Sequence, residues 1–248
     1  MQTLAGKVAV VTGGAGGLGS AICHRLAETG ATVVVGFGRS FAAAEQLAMT
    51  LPGDGHCALP APVKNGAAMK SLADEVVRRY GRTDILVNCA GITRFVPHAD
   101  LDALDDALID DIFSVNVRGV LASIRAFKAL LAANGDGLIV NISSIAAATA
   151  MGSNVAYCAS KAAVNNLTLS LAWALAPAIR VVAVSPGLSD TEFVKSLDQA
   201  WRDEQANRTP LKRLASPDEV ADAVIAVATH LRFTTGAIIP VDGGRPLA

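Results

Sequence analysis

Short runs of apolar, mostly β-branched residues alternate along the 248-residue chain with longer segments of helical spacing. These runs predict six strands, at residues 7–12, 32–35, 84–88, 138–143, 180–185 and 237–241. They are almost wholly apolar, as Val8-Ala9-Val10-Val11 shows, which indicates strands covered on both faces. The pattern therefore predicts an α/β fold in which a parallel sheet lies between layers of helices.

The composition allows one large core. Hydrophobic residues form 52% of the chain and charged residues 17%, so the polar surface left over is modest. No linker-like stretch divides the sequence, and we expect a single domain spanning residues 1–248. The uncharged stretches 137–160 and 162–179 are long enough to raise the question of a membrane span, but asparagines, serines and a proline interrupt them. We interpret both as buried protein and expect no membrane partner.

Charge and cysteine usage argue against several classes of function. The net charge is −1, from 21 basic and 22 acidic residues, with no basic stripe, so nucleic acid is not an expected partner. The four cysteines lie far apart without a C-x-x-C pair, and the four histidines lack metal-ligand spacing. Neither a metal site nor a disulfide framework is therefore predicted. Because the amino-terminal residues show no secretory pattern, we expect a cytoplasmic location.

A glycine-rich stretch follows the first predicted strand and opens a predicted helix. Gly14, Gly16 and Gly19 match the pattern G-x-G-x-x-G. Gly13, Gly17 and Gly19 equally match T-G-x-x-x-G-x-G. In either register, backbone N–H groups at a helix N-terminus can bind a pyrophosphate, because no Cβ blocks its approach. The strand-loop-helix context favours a dinucleotide site over a glycine-rich turn without a ligand.

Tyr157 and Lys161 stand four residues apart, so a helix places their side chains on one face. An ammonium close to a phenol in poorly solvated surroundings stabilises the phenolate, which makes the phenol a proton donor and acceptor suited to cellular pH. By itself this spacing is more often an ordinary surface pair. It indicates a catalytic pair only in the company of other motifs.

Other motifs do accompany it, over nearly the whole chain. They are T-G-x-x-x-G-x-G at 12–19, Asn88-Cys89-Ala90-Gly91 after a buried strand, Asn116, Ser143-Ser144, Tyr157-x-x-x-Lys161, Pro186-Gly187 and Val241-Asp242-Gly243-Gly244. In this order they resemble the short-chain dehydrogenase/reductase family, from Gly6 to Gly244. The resemblance implies a doubly wound, Rossmann-type parallel sheet flanked by helices on both faces. It also implies hydride transfer between a nicotinamide cofactor and a carbonyl or secondary alcohol.

The resemblance assigns catalytic roles to four residues. Tyr157 is expected to give a proton to the substrate oxygen in reduction and to take it back in oxidation, while Ser144 hydrogen-bonds the same oxygen. Lys161 is expected to bind the nicotinamide ribose and to stabilise the phenolate. The backbone at Asn116 is expected to hold a water that links Lys161 to solvent. Ser143 points to the opposite face from Ser144 in an extended stretch, so we do not expect it in the site.

The same resemblance implies which residues bind the cofactor. They are Gly13, Gly17, Leu18, Gly19, Val63, Asn88, Ala90, Gly91, Tyr157, Lys161, Pro186, Gly187, Leu188 and Thr191. Among them, Asn88 could tie the central strands together instead of touching the ligand. Thr191 is expected to bond the carboxamide, with a backbone contact from Leu188.

The residues after the second strand bear on the choice of cofactor. Family members that prefer NAD(H) usually carry an acidic residue at the end of that strand, where this chain has Phe37. Arg39 and Ser40 could instead bind a 2′-phosphate, so NADP(H) is favoured over NAD(H). Arg39 could also be an ordinary solvated loop residue. Pro62 precedes Val63 where family members often have Asp, so one hydrogen bond to adenine is expected to be missing.

Residues 188–212 resemble the substrate lid of the family, and their modest number suggests a small-molecule carbonyl or alcohol substrate. One apolar helical stripe is predicted within the lid, formed by Phe193, Val194, Leu197 and Trp201. The expected substrate contacts are Arg94, Ser144, Met151 and Tyr157. Arg94 could equally be a surface residue of its loop.

Two other classes of function stay open beside a carbonyl reductase or alcohol dehydrogenase. A cofactor-binding regulatory or scaffold protein with the same fold is one, although it has no need for the intact catalytic set. A nonredox lyase or epimerase is the other, and it usually has a longer chain or an altered serine position. The resemblance also implies a homo-oligomer, a tetramer or a dimer, with interfaces around 104–131 and 157–175.

Overall fold

A computed structural model of the protein describes residues 3–247, apart from the side chain of Phe193. The ends of the predicted domain, Met1, Gln2 and Ala248, lie outside the described residues. Seven parallel strands form one sheet in the order β3-β2-β1-β4-β5-β6-β7. The strands are β1 (Val8–Thr12), β2 (Thr32–Phe37), β3 (Cys57–Pro60), β4 (Ile85–Asn88), β5 (Gly137–Ile142), β6 (Ile179–Pro186) and β7 (Ile238–Val241).

Helices lie in the connections between the strands. They are α1 (Gly17–Glu28), α2 (Phe41–Thr50), α3 (Gly66–Tyr80), α4 (Asp106–Phe113), α5 (Gly119–Ala133), α6 (Ala146–Thr149), α7 (Val155–Leu175), α8 (Glu192–Lys195), α9 (Gln199–Asn207) and α10 (Pro217–Thr229). A π-helical turn, Ser114–Arg118, joins α4 to α5, and a 3-10 turn, Arg245–Leu247, follows β7.

Each strand sends its side chains alternately into two helix layers, because successive residues point to opposite faces of a sheet. Ala9 and Val11 of β1 pack with residues of α1, α2 and α10. Val8 and Val10 pack with residues of α3, α5 and α7. All five residues of β1 are buried. The predicted doubly wound, Rossmann-type sheet flanked by helices on both faces is confirmed.

The sequence pattern did not predict β3. This strand lies at the edge of the sheet beside β2, and only Leu59 among its four residues is buried. It ends in Pro60, which cannot donate a hydrogen bond to a strand ladder. The segment therefore lacks the long apolar run of a central strand. The six predicted strands are confirmed, with ends that differ by one or two residues.

The direction in which strands are added reverses at β1. From β1 the sheet is built outward through β2 to β3, and β4 to β7 then extend it on the other side. Open α/β sheets bind ligands in the crevice outside the carboxyl ends of the strands at such a reversal. Thr12 and Asn88 are the paired last residues of β1 and β4, and the loops that follow them form the candidate site.

Candidate active site

Thr12 joins the two loops at this crevice. Its Oγ1 accepts hydrogen bonds from the backbone N–H groups of Cys89 and Ala90, at 3.2 and 3.3 Å. The same hydroxyl lies 3.4 Å from the main-chain oxygen of Val87, to which it donates. Thr12 is 1% exposed, so this contact fixes the loop after β4 against the end of β1. We did not predict this role, although a threonine that ends a buried strand before a glycine loop is a usable signal.

The glycine loop requires glycine because two parts of the backbone meet there. Gly13 has φ +67°, and a Cβ at this position would lie 2.8 Å from the Cα of Ala90. A Cβ at Gly19 would collide with the main-chain oxygen of Gly13. Helix α1 begins at Gly17, its N-cap residue Gly16 provides no side-chain hydrogen bond, and its first turn has no acidic residue. This uncapped N-terminus fits an anionic group such as a pyrophosphate.

Thr191 closes the crevice from the side of β6. The side chain of Thr191 contacts the glycine loop so closely that a Cβ on Gly17 would lie 2.9 Å from it. Thr191 is also the N-cap of α8 and accepts from the backbone N–H of Val194. Gly187, just after β6, donates from its N–H to the main-chain oxygen of Val241 at 2.9 Å. The predicted cofactor segment 186–191 and the glycine loop therefore face each other in one crevice.

Asn88 lies within the sheet, where it is 3% exposed. Its Nδ2 donates to Oδ1 of Asn141 at 2.9 Å, and Nδ2 of Asn141 donates to the hydroxyl of Thr168 on α7 at 2.9 Å. Oδ1 of Asn88 is buried and has no hydrogen-bond partner among the described residues. This side chain links β4, β5 and α7, which favours the interpretation that it ties the central strands together.

Helix α7 carries Tyr157 on its first turn and Lys161 one turn later. Tyr157 is half-buried, whereas Lys161 is 7% exposed. The Lys161 Nζ lies 5.7 Å from the centroid of the Tyr157 ring and donates to the main-chain oxygen of Ile142 at 2.8 Å. The end of β5 therefore holds the ammonium close to the phenol, at the carboxyl edge of the sheet.

Asn116 lies in the π-helical turn between α4 and α5 and is 1% exposed. Its Oδ1 accepts from the N–H of Ile92 at 2.9 Å, while its Nδ2 donates to the oxygen of Ile92 at 3.0 Å and to the hydroxyl of Ser160 at 3.1 Å. A Cβ on Gly91 would lie 3.5 Å from Asn116 Oδ1 and 3.7 Å from Lys161 Nζ. The structure thus brings Gly91, Asn116 and Lys161 together.

The two serines after β5 have different surroundings. Ser143 is 3% exposed, and its hydroxyl donates to Oδ1 of Asn165 at 2.6 Å, inside the protein. Ser144 is half-buried, and its hydroxyl accepts from the N–H of Ala146 at 3.1 Å. Only Ser144 therefore has a hydroxyl near the surface of the crevice, in keeping with the choice of Ser144 over Ser143.

The thiol of Cys89 lies at this site, close enough to Lys161 to feel its positive charge. Burial raises the pKa of Cys89 to about 11, and the positive charge of Lys161 opposes that rise only in part. Cys89 is therefore a neutral thiol at ordinary pH, not a nucleophile.

The described part of the chain contains no group of three or more potential metal ligands from His, Cys, Asp and Glu. No helix within residues 3–247 is both long and apolar enough to cross a membrane.

The residues that bear on cofactor choice lie around the end of β2. Phe37 ends this strand and packs against Phe41, with ring centroids 5.5 Å apart. Arg39 and Ser40 are exposed, and within the described residues no ion pair or hydrogen bond holds the Arg39 guanidinium. Val63 is buried, and a Cβ on Gly119 would lie 2.8 Å from its Cγ2. Its side chain is thus used in packing, and any contact with adenine would come from its backbone.

The predicted substrate contacts are distributed unevenly. Met151 is 41% exposed, beside the segment that leads into α7. Arg94 donates to Oδ2 of Asp105 and to the main-chain oxygen of Ala103, each at 3.1 Å, on an exposed face. This arrangement favours the surface interpretation of Arg94.

Residues 188–212, the predicted lid, contain two helices, so the prediction of a single helical stripe is wrong. Helix α8 ends at Lys195, and α9 starts after its own N-cap, Asp198, whose side chain accepts from the N–H of Trp201. Val194 is 6% exposed, whereas Trp201 is 37% exposed. The side chain of Phe193 lies outside the described residues. An N-cap aspartate in mid-segment was the missed signal.

Known proteins share this architecture and length. A protein-family model described as "Enoyl-(Acyl carrier protein) reductase" matches residues 13–245. The chain is 39% identical over 247 residues to the cis-4-hydroxycyclohexanecarboxylate dehydrogenase of Sinomonas cyclohexanicum, covering 98% of each chain. It is 34% identical over 247 residues to the 3-oxoacyl-acyl-carrier-protein reductase of Thermotoga maritima, covering 97% of this chain and 98% of the relative.

A solved structure gives the same result. The gluconate 5-dehydrogenase of Burkholderia cenocepacia, in complex with NADP and tartrate, superimposes with a TM-score of 0.91 at 33% identity, covering 99% of this chain and 97% of that one. Both this structure and the relatives match the chain over almost its full length. The similarity therefore extends well beyond the glycine loop. The chain belongs to the short-chain dehydrogenase/reductase family.

Proposed function

We propose that the protein is an NADP(H)-dependent oxidoreductase that interconverts a carbonyl and a secondary alcohol, with Tyr157 as the acid/base. One observation carries the proposal: Lys161 Nζ is held by Ile142 at the carboxyl edge of the sheet, 5.7 Å from the Tyr157 ring centroid. A regulatory protein that only binds the cofactor would not need this pair. The family comparison supports oxidoreductase chemistry at this site.

The proposed chemistry divides between a bound cofactor and the side chains. The bound nicotinamide cofactor supplies the hydride in reduction and accepts it in oxidation. As the carbonyl carbon is reduced, the π electron pair of the C=O bond moves onto oxygen, which takes the proton of Tyr157 Oη. Ser144 donates a hydrogen bond to the same oxygen and stabilises its developing charge. In oxidation the Tyr157 phenolate takes the hydroxyl proton back.

Lys161 and Asn116 would support the proton transfer in different ways. An ammonium has three N–H donors, and Ile142 accepts from one of those of Lys161. The others can reach ribose hydroxyls and the phenol. The Asn116 side chain already makes three hydrogen bonds, two with Ile92 and one with Ser160. A water at this position would therefore bind the main chain, and this water would link Lys161 to solvent.

The residues of the crevice fit a dinucleotide. The uncapped start of α1, with Gly13, Gly17, Leu18 and Gly19, would hold the pyrophosphate. The remaining contacts would come from the backbones of Val63, Ala90, Gly91, Pro186, Gly187 and Leu188 and from the side chains of Thr191 and Lys161.

NADP(H) is the proposed form because no carboxylate ends β2. The exposed guanidinium of Arg39 and the hydroxyl of Ser40 can meet a 2′-phosphate. The structural relative from Burkholderia cenocepacia was solved with NADP, which supports the same choice. The substrate is proposed to be a small molecule with a carbonyl or secondary alcohol group.

The test is oxidation of NADPH and NADH with a panel of ketones, diketones, keto sugars and 3-oxoacyl thioesters. Tyr157→Phe should lower turnover by about 100- to 10,000-fold, the range typical of a lost general acid, while NADPH binding measured by fluorescence persists. Tyr80→Phe is the matched control, because the Tyr80 hydroxyl bonds Gly55 and Cys57 away from the crevice. This control should keep wild-type turnover.

Two outcomes would contradict the proposal. Equal turnover in Tyr157→Phe and Tyr80→Phe would remove Tyr157 as the acid/base. NADPH binding without turnover of any panel member, in either direction, would favour the regulatory or scaffold alternative.

A further inference from the structure

The loop after β4 is bonded along its length to the segment that precedes α7. The N–H of Val96 donates to the oxygen of Ser153 at 2.8 Å. Nε2 of His98 lies 3.0 Å from the oxygen of Gly152. The hydroxyls of Thr93 and Ser153 form a short hydrogen bond. Residues 93–98 therefore form a wall attached to the start of the helix that carries Tyr157.

Asn154 connects this wall directly to Tyr157. Its Oδ1 accepts the N–H of Tyr157 at 2.7 Å and so caps α7. Its Nδ2 donates to the main-chain oxygen of Arg94 at 2.7 Å and lies 3.3 Å from the hydroxyl of Thr93. Asn154 is 1% exposed, so water does not compete for these bonds. One buried amide thus holds both the catalytic helix and the loop beside it.

The two halves of the amide have separable duties. Asn, Asp and Ser are about equally good at capping a helix, so capping alone does not require an amide. An Asn side chain both accepts and donates, which lets Oδ1 cap α7 while Nδ2 holds Arg94. The Arg94 guanidinium forms its hydrogen bonds with Asp105 and Ala103 on an exposed face. Asn154 instead holds the loop through the main-chain oxygen of Arg94.

From this geometry we infer that Asn154 is a positioning residue that sets Tyr157 relative to the wall formed by residues 93–98. The inference rests on the proposed function, because it assigns that wall to the substrate side of Tyr157. Gly152 strengthens the coupling, since a Cβ there would lie 3.1 Å from Cδ1 of Tyr157. A shift of the wall is therefore transmitted to the phenol. A misplacement of about 1 Å can cost about 100-fold in rate.

Asn154→Ser tests the inference because a serine keeps the cap but is too short to hold Arg94. We expect kcat to fall by about 10- to 100-fold, with NADPH affinity measured by fluorescence within about twofold of wild type. The matched control is Asn65→Ser, since Asn65 caps α3 in the same way, accepting from Ala68 at 3.1 Å. This control should leave kcat unchanged.

A second measurement does not depend on turnover. Hydrogen exchange of peptides covering 92–98 should be faster in Asn154→Ser than in wild type and unchanged in Asn65→Ser. Asn154→Asp is the second variant, to be used if the serine variant does not fold. It keeps the acceptor for Tyr157 but sets a carboxylate against the Arg94 oxygen, so hydrogen exchange at 92–98 should again be faster than in wild type.

The outcomes separate this inference from the proposed function. If wild type turns over substrate and Asn154→Ser matches it, the inference is wrong and the function stands. Unchanged exchange at 92–98 in both Asn154 variants also overturns it. If wild type is inactive throughout the panel, the proposed function fails, while faster exchange would still establish the tie between the wall and α7.

Discussion

Lys161 donates from Nζ to the main-chain oxygen of Ile142 at 2.8 Å while it is only 7% exposed. Within the described residues no carboxylate forms an ion pair with this ammonium. Buried charges are normally paired. The bond to Ile142 positions the cation toward Gly91 and the Tyr157 ring, where polar groups of a ligand would complete its surroundings.

Replacement of Lys161 should therefore affect binding and turnover together. Lys161→Met keeps the apolar stem and removes the ammonium, so we expect kcat to fall by about 100-fold or more. NADPH affinity should weaken by about 10- to 150-fold, since a hydrogen bond to a charged group contributes about 1.5–3 kcal/mol. Steady-state kinetics and fluorescence titration measure the two effects. Lys70→Met, at an exposed position on α3, should change neither; equal behaviour of both variants would contradict the assignment.

Asp84 should stabilise the fold at the opposite edge of the sheet from the crevice. It is 2% exposed and accepts from the N–H of Val8 at 2.9 Å, from Lys7 at 3.2 Å and from Arg82 at 2.5 and 2.8 Å. Burial by itself raises the pKa of this carboxyl, but the bonds from Arg82, Val8 and Lys7 outweigh it and hold the pKa below its usual value. Asp84→Asn should lower the free energy of unfolding by about 2 kcal/mol near neutral pH.

The pH dependence of that loss follows from the lowered pKa. A carboxyl whose pKa is lowered by folding stabilises the folded state at pH values above its pKa in the unfolded state. This contribution disappears as the pH falls through its pKa in the folded state. The gap between wild type and Asp84→Asn should therefore be constant at neutral pH and close below about pH 4. Urea unfolding at several pH values measures it. Asp74→Asn, on an exposed face of α3, should show no gap; a gap for Asp84 that widens in acid would refute the account.

The sequence predicted the central strands and the main site motifs because both have local signals. The apolar run from Val8 to Val11 was enough by itself to predict a buried strand. Tyr157 and Lys161 share a helix face through their spacing. These features depend on neighbours in the chain.

Contacts between distant segments could not be predicted in the same way. Asn154 and Arg94 are 60 residues apart, and nothing near either residue indicates the other. Thr12 reaches Cys89 across 77 residues. Polar side chains of this size can serve a turn, a cap or a tertiary bond, and the fold decides which. The edge strand β3 was missed for the related reason that it has little burial of its own.

Arg39 should set the preference between the two nicotinamide cofactors. Its guanidinium is exposed beside the end of β2, so it can bind a 2′-phosphate at little structural cost. We expect Arg39→Ala to raise the KM for NADPH by about 10-fold and to leave the KM for NADH nearly unchanged, which makes NADH the internal control. Phe37→Asp should shift the preference further toward NADH, since a carboxylate there binds both ribose hydroxyls. If the ratio of the KM for NADPH to the KM for NADH stayed at its wild-type value in both variants, Arg39 would be only a solvated loop residue.

An apolar face on α7 should lie in the interface of the expected homo-oligomer. Leu169 is 51% exposed and Trp173 is 89% exposed, and their spacing of four places both on one face. Exposed apolar patches of this kind mark contact surfaces, so a second copy is expected to cover them. Light scattering after size exclusion should show wild type as a tetramer or dimer and Leu169→Lys/Trp173→Lys as a smaller species. Phe233→Lys is the control, because Phe233 is fully exposed in the loop after α10. An unchanged mass in the double variant, or a monomeric wild type, would exclude α7 from such an interface.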